Sequence, residues 1–171
     1  MSDDDLDLTT AETAPFTATD GHQDLHGLAG SWDGVSRTWI DPERVPDESR
    51  STARIAAILG GRFIRIEYRG TVMGKDHAGE MLIGYEPGED RFTAAWVDSF
   101  HMATGIMMSA GERASGDAVS LLGSYDGGGQ SWGWRTVLRR IDDDHISIES
   151  FNISPEGRED RAIETRLTRR S

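Results

Sequence analysis

The sequence has 171 residues, a length that fits one domain with a buried core but not two ordinary domains. Its 30 acidic and 18 basic side chains give a net charge of −12, which disfavours nucleic acid as a partner. The absence of cysteine excludes disulfides, thiolate nucleophiles and metal sites that use Cys. No apolar run approaches the roughly 20 residues of a membrane-spanning helix, and the first residues lack a secretion signal. We therefore predict a cytoplasmic protein with no membrane partner.

The first twenty residues are acidic, rich in Thr and Ala, and poor in large apolar groups. Such a segment buries too little surface to offset the entropy of ordering. We predict a disordered acidic tail over residues 1–20 and a single domain over residues 21–171. Residues 22–28 indicate one short helical turn, with Asp20 as its N-cap and Leu25 facing inward.

After residue 30, Gly, Pro and Asp turn signals recur at short and nearly even intervals. The segments between them are enriched in aromatic and β-branched residues, and several alternate apolar with polar side chains, which is typical of strands. The Ala-rich segment 51–59 is also compatible with a helix, but it is short for one. The ten predicted strands are 31–39, 51–59, 62–70, 79–86, 91–98, 101–110, 117–125, 131–141, 145–153 and 159–169.

Short connections imply that neighbouring strands are antiparallel, so successive turns fall at alternate ends of the sheet. By this count strand 159–169 ends beside the start of strand 31–39, and pairing of the two would close the sheet. Ten strands enclose more volume than side chains fill. The pattern predicts an all-β protein: a closed up-and-down antiparallel barrel of about ten strands, with a cavity open near residues 98–101.

Four segments of the sequence have distinctive motifs: LAGSWDG at 28–34, AAILGGRFIRIEYRG at 56–70, GYEPGEDRFTAAWVDS at 84–99 and RIDDDHISIES at 140–150. With these motifs the chain resembles the domain of unknown function 1579 family over roughly residues 24–170. The resemblance implies a calycin-like β-barrel, the broad architecture of lipocalins, fatty-acid-binding proteins and nitrobindin-like haem barrels. It implies no activity, because none is assigned to the family.

In lipocalin-like barrels a Trp at the start of the first strand closes one end, and an Arg from the last strand covers it. The resemblance gives this structural role to Trp32, with Arg166 or Arg169 as the covering residue. A guanidinium over an indole contributes about 0.5–2 kcal/mol.

The turn at the open end contains the candidate catalytic residues. Alternation along 91–98 places Trp96 and Asp98 on one face, and His101 follows across a short turn. A carboxylate that orients an imidazole raises its basicity, as in a general base. In the alternative, Asp98 caps its own turn through backbone amides while His101 is solvated.

Trp132 and Trp134 share one face of their predicted strand. If they point inward, they form a flat wall that favours an aromatic ligand. If they point outward, they form an apolar patch that would bind another chain, for instance in a homodimer.

Five further residues complete the predicted ligand site. Arg135 and Glu149 lie on adjacent strands and form either an interior ion pair that anchors a ligand or a pair on the outer face. Met102 is either cavity lining or core packing. Tyr68 and Tyr85 each end an apolar face and either bind inside the cavity or lie at a rim.

The leading functional hypothesis is non-enzymatic binding of a small hydrophobic or aromatic molecule, with no cofactor and no metal site. The alternative is a barrel enzyme of the lyase, isomerase or cyclase type that uses Asp98 and His101 as an acid–base pair. A lesser alternative, suggested by the nitrobindin-like barrels, is a haem-binding barrel with His101 at the iron.

Overall fold

A computed structural model of the protein describes residues 15–171. One short helix, α1 (Asp20–His26), precedes ten strands, and a 3₁₀ turn (Leu59–Gly61) follows the second strand. The strands are β1 (Gly30–Thr38), β2 (Asp47–Ile58), β3 (Phe63–Val72), β4 (Lys75–Glu86), β5 (Arg91–Asp98), β6 (Met107–Ala114), β7 (Ala118–Asp126), β8 (Ser131–Arg140), β9 (His145–Ile153) and β10 (Glu159–Arg169).

Most of the predicted tail, residues 1–14, lies outside the described residues, so its disorder stays a prediction. At the described end of that segment, the ring of Phe16 packs edge-on against His22, with 4.8 Å between ring centroids. Within the described residues, no helix is both long enough and apolar enough to span a bilayer.

The ten strands form one closed antiparallel barrel in which every strand pairs with its sequence neighbours. The ring is completed by β1 and β10, with Trp32 opposite Arg169 at one end and Thr38 opposite Ile163 at the other. The predicted up-and-down barrel is thereby confirmed. Closure leaves the sheet without an edge strand.

Three predicted strands, those observed as β2, β4 and β6, start four or more residues away from their predicted starts. Segment 51–59 is a strand, as predicted, but β2 is longer and begins at Asp47. The prediction of a strand over 101–110 is wrong at its start, because residues 99–106 form a loop and β6 begins only at Met107. The Asp98 carboxylate accepts bonds from backbone amides of this loop, and those amides are then not available to a strand ladder.

Strand alternation fills the lower half of the barrel with apolar side chains. Ile64, Ile83, Phe92, Leu121 and Leu138 come from five different strands, and each is at most 2 % exposed. Burial on this scale is the main favourable term in folding.

Trp32 closes the lower end of the barrel. Its indole is fully buried and its Nε1 donates to the Leu28 carbonyl at 3.1 Å. The Arg169 guanidinium lies 4.2 Å from the ring centroid and donates to the carbonyls of Ala29 and Asp143 at 2.7 Å. Arg169 is therefore the covering arginine, whereas Arg166 instead pairs with Glu164.

Gly30 and the helix α1 complete the closed end around Trp32. Gly30 has φ +155°, and a Cβ there would collide with the Arg169 guanidinium, so only glycine fits. The helix lies at the same end of the barrel, with Leu25 1 % exposed and the ring of His26 bonded to the Gly61 carbonyl at 2.7 Å.

Candidate functional site

The upper end of the barrel contains a cavity of about 70 Å³, which we call the mouth cavity. Its floor is apolar, formed by Ala53, Ile66, Met81 and Leu167. Above the floor, serine and threonine side chains from six strands form what we call the hydroxyl ring. Its members are Ser36, Thr38, Ser49, Ser51, Thr71, Thr136, Ser150 and Thr165.

Some members of the hydroxyl ring bond to each other across neighbouring strands. The Ser36 and Thr165 hydroxyl oxygens are 2.9 Å apart, and those of Thr136 and Ser150 are 3.4 Å apart. A hydroxyl donates one bond and accepts two, so each pair keeps hydrogen-bonding capacity for a third group. The ring is therefore a polar rim over an apolar floor.

Asp98, the last residue of β5, lies beside the mouth cavity with a fully buried side chain. The alternation that turns Trp96 inward also turns Asp98 inward. Its Oδ1 accepts three backbone amides, from Phe100 at 3.1 Å, His101 at 2.6 Å and Met102 at 3.1 Å. This carboxylate oxygen thus fixes the start of the loop, as the capping alternative predicts.

The second oxygen of Asp98 gathers three side chains, and we call the four residues the Asp98 cluster. Oδ2 lies 2.6 Å from His101 Nδ1, 3.0 Å from His77 Nε2 and 3.4 Å from the Tyr68 hydroxyl. The predicted contact between Asp98 and His101 is therefore present together with the cap. The cap and the His101 contact therefore coexist on the two oxygens of one carboxylate, whereas the solvated His101 of the capping alternative is wrong, because its ring packs against Asp98 and the tryptophans.

The environment of Asp98 keeps its carboxylate ionised. Burial alone would raise its pKa, but the hydrogen bonds from His101 and His77 outweigh burial and hold the pKa well below its usual range. Burial, and then the Asp98 charge, raise the pKa of Tyr68, so its phenol stays protonated and donates. The cluster therefore presents a buried negative charge to two imidazoles and one hydroxyl.

An aromatic wall stands beside the Asp98 cluster. The rings of Trp96 and Trp134 stack with 5.3 Å between centroids and 20° between planes, and His101 packs against both, at 5.7 Å and 5.6 Å. Trp96 Nε1 donates to the Tyr68 hydroxyl at 2.8 Å. The buried Nε1 of Trp134 finds no acceptor among the described residues.

Six predicted site residues thus lie at the upper end. Tyr68 and Trp96 line the mouth cavity directly. The side chains of Asp98, His101 and Trp134 are in contact with them, and Met102 packs on the core from the loop.

The structure places Tyr85 and Trp132 elsewhere. Tyr85 lies at the closed end, where its hydroxyl donates to Asp90 at 2.5 Å and its ring packs on His22. Trp132 lines a depression on the outer surface together with Met108 and Leu122. Trp134 alone of the two tryptophans joins the core.

Arg135 and Glu149 lie on the outer face, so the interior ion pair is not formed. Arg135 pairs with Glu159 and covers the ring of Phe151 at 4.4 Å, while Glu149 lies 3.6 Å from Arg161. The physical reason is alternation: because Trp134 points inward, its neighbour Arg135 points outward.

Sequence reasoning missed His77, which lines the mouth cavity and bonds Asp98. Residues 70–78 were predicted to be a connection, but β3 and β4 continue to a two-residue turn at Met73 and Gly74, where φ is 51° and 73°. Positive φ at both positions is typical of a tight hairpin. Counting back by twos from Met81 reaches His77 on the same face, a signal that the sequence contained.

The mouth cavity does not fit a haem. Its volume of about 70 Å³ is far below the roughly 300–1,000 Å³ of pockets for drug-sized ligands. The space beside His101 is filled by the rings of Trp96 and Trp134. The Nδ1 of His101 is bonded to Asp98.

Comparison with protein families gives a match over residues 17–169 to the model described as protein of unknown function (DUF1579). The chain belongs to the DUF1579 family. No curated protein matches its sequence.

Solved structures share the barrel of this DUF1579 member at low identity. Rv2717c from M. tuberculosis is 16 % identical with a TM-score of 0.62, over 91 % of this chain and 100 % of the other. The S-type phycobiliprotein lyase CPES from Guillardia theta is 12 % identical with a TM-score of 0.62, over 90 % and 94 % of the two chains. At these identities the likeness shows the fold alone.

Proposed function

We propose that the protein binds a small amphipathic molecule at the open end of the barrel. The observation that carries the proposal is the mouth cavity, which combines an apolar floor with the hydroxyl ring above it. Transfer of an apolar group from water to such a floor lowers the free energy, and the hydroxyl ring forms hydrogen bonds with a polar group of the same molecule.

The size of the cavity limits what enters it. A closed apolar cavity of about 150 Å³ in another protein holds benzene. The mouth cavity has about 70 Å³ and is open to solvent at its top. Only a short chain or part of a ring fits on the floor, and the polar remainder of the molecule lies at the rim.

Two further groups favour a polar contact at this end. His77 belongs to the lining, and it carries a second ring nitrogen besides the one bonded to Asp98. Trp134, which packs on the lining residue Trp96 but does not itself line the cavity, has a buried N–H with no acceptor within the described part of the chain. A buried donor without a partner costs about 1–3 kcal/mol, and an acceptor on a bound molecule or a water would remove that cost.

The first experiment is native mass spectrometry of the purified protein, to detect a co-purifying small molecule. The second is calorimetric titration with two amphipathic probes, phenol and hexan-1-ol. The test variant is Ser49→Phe, which fills the mouth cavity; its matched control is Ser124→Phe, at an exposed position on β7.

We expect the native protein and Ser124→Phe to bind at least one probe equally well. Ser49→Phe should bind it at least about tenfold more weakly, a loss of about 1.4 kcal/mol. Circular dichroism verifies that both variants are folded. The proposal is wrong if neither probe binds and nothing co-purifies, or if Ser49→Phe binds as well as the control.

Acid–base catalysis on the bound molecule is a second candidate function, favoured by the 2.6 Å contact between His101 and Asp98. It requires that a co-purified molecule be converted when fresh protein is added. His101→Gln should then lower the rate roughly 100–10,000-fold. A molecule recovered unchanged after incubation supports binding alone.

A further inference from the structure

The Asp98 charge lacks a permanent counter-charge. Buried charges in proteins are paired with opposite charges or coordinate metal ions. Within residues 15–171, the ion-pair partners of Asp98 are His77 and His101, and neither Lys nor Arg lies among them. An imidazole carries a positive charge only when it is protonated, whereas a neutral imidazole is a metal ligand.

The positions of the ligand atoms are those of a metal site. Nε2 of His77, Nδ1 of His101 and an oxygen of Asp98 all lie within 4.8 Å of one another. Metal–ligand bonds of about 2.0–2.2 Å place neighbouring ligand atoms roughly 2.9–3.4 Å apart. The contacts to Oδ2, 3.0 Å and 2.6 Å, are close to this spacing. The two imidazole nitrogens lie within 4.8 Å of each other, and the rings adjust to bring both nitrogens to the ion.

We propose that His77, Asp98 and His101 bind one divalent transition-metal ion, with Zn²⁺ as the representative. Two imidazoles and one carboxylate are the ligand set of zinc enzymes and of two-His, one-carboxylate iron sites. For the ion to bind, the nitrogen that faces Oδ2 must carry no proton: a neutral imidazole carries its N–H on its other ring nitrogen, and a protonated imidazole releases one proton to solvent. Three protein ligands leave at least one coordination position for water or a bound molecule.

The groups around the three ligands hold them in place. Oδ1 of Asp98 is fixed by three backbone amides, which leaves Oδ2 as the ligand oxygen. Tyr68 donates to Oδ2, and the ring of Phe100 packs edge-on against both imidazoles. Such outer partners orient metal ligands and change metal affinity about 10–100-fold.

The proposal goes beyond binding of an organic molecule and is tested without one. The full-length protein is stripped with a chelator and titrated with Zn²⁺ by calorimetry. Titration with Co²⁺, followed by visible absorption, reports the coordination of the ion. The test variants are His77→Gln and His101→Gln, whose side chains are partly exposed, so that both are expected to fold.

The matched control is His145→Gln. His145 also contacts an aspartate three residues earlier, Asp142, with 2.8 Å between Nδ1 and Oδ1. This pair is exposed, and residues 15–171 place no third ligand beside it. It therefore measures what an isolated His–Asp pair contributes to binding. A fold check by circular dichroism accompanies each variant.

We expect one Zn²⁺ per chain in the native protein and in His145→Gln. Each of the other two variants should bind on the order of 100-fold more weakly and lose the Co²⁺ absorption bands of the native protein. The proposal is overturned if the native protein binds no metal, or if His77→Gln and His101→Gln bind as the control does. Failure of the metal titration would leave the phenol and hexan-1-ol results unaffected, so the two proposals are tested separately.

Discussion

The two ends of the barrel are each built around tryptophan and a charged side chain, yet these groups have different partners. At the closed end, the N–H of Trp32 has a carbonyl acceptor, and Arg169 donates to two carbonyls. At the open end, the N–H of Trp134 finds no acceptor among the described residues. The Asp98 carboxylate there is bonded to three backbone amides, two imidazoles and a hydroxyl, and neither Lys nor Arg is among its ion-pair partners within residues 15–171.

This difference separates stability from binding within one fold. A hydrogen bond from a ligand adds little free energy of binding at a group that already has a partner in the protein. It adds more at a buried group that has none. The bonded N–H of Trp32 therefore contributes to stability, whereas the N–H of Trp134 remains an unused donor, in line with the proposed binding at the open end. The next three predictions test that division in order of expected effect.

The largest expected effect is at the closed end. Trp32→Ala should lower the free energy of unfolding by about 3–5 kcal/mol, because it leaves a large cavity and removes the contact with Arg169. Urea denaturation measures the loss. Trp132→Ala, on the outer surface, is the control and should lose much less. Equal losses in the two variants would show that Trp32 does not close the barrel as described.

At the open end, Asp98→Asn should lower the free energy of unfolding at pH 7 by about 1.5–3 kcal/mol, the range for hydrogen bonds to charged groups. The pKa of Asp98 is lowered in the folded protein, below the value of about 3.9 expected when unfolded. The stability due to its charge is therefore complete above about pH 4 and is lost as the pH falls further.

The measurement for Asp98→Asn is urea denaturation at pH 7, 4 and 3. The difference between native protein and variant should narrow below pH 4. For Trp32→Ala, where no carboxylate is removed, the difference should stay constant over the same range. A pH-independent difference for Asp98→Asn would contradict the role given to its charge.

The smallest expected effect is a difference in stability between variants of the two stacked tryptophans. Trp96→Phe removes a donor that is bonded to Tyr68, whereas Trp134→Phe removes a donor without a partner. Both changes remove the same volume, so Trp96→Phe should be the less stable variant by about 1 kcal/mol. Thermal unfolding of the pair provides the measurement, and the opposite order would refute the assignment of the two N–H groups.

The alternation of apolar and polar residues allowed the barrel and the inward faces of several strands to be predicted from the sequence. Trp96 and Asp98 were placed correctly because both follow Phe92 at even spacing along β5. Alternation alone could not decide whether Trp134 or Arg135 points into the barrel. The two residues lie on opposite faces of β8, and the rest of that strand does not indicate which face is buried. The observed burial of Trp134 settles that choice.

The Asp98 cluster could be predicted only in part, for a physical reason. The contact with His101 is local, three residues along the chain, whereas His77 and Tyr68 arrive through the pairing of β3, β4 and β5. Register is a property of the assembled sheet and depends on the turn at Met73 and Gly74. The register therefore cannot be predicted from the sequence of each strand taken separately.

The pairing of β1 with β10 also governs how the chain reaches its final state. Trp32 and Arg169 are adjacent in space but far apart in the sequence, so their contact closes a very long loop. Folds dominated by such non-local contacts are slow to form, on the order of milliseconds to seconds. Until β10 docks, β1 and β9 are both unprotected edges, and that interval is when one nascent molecule is most exposed to aggregation with another.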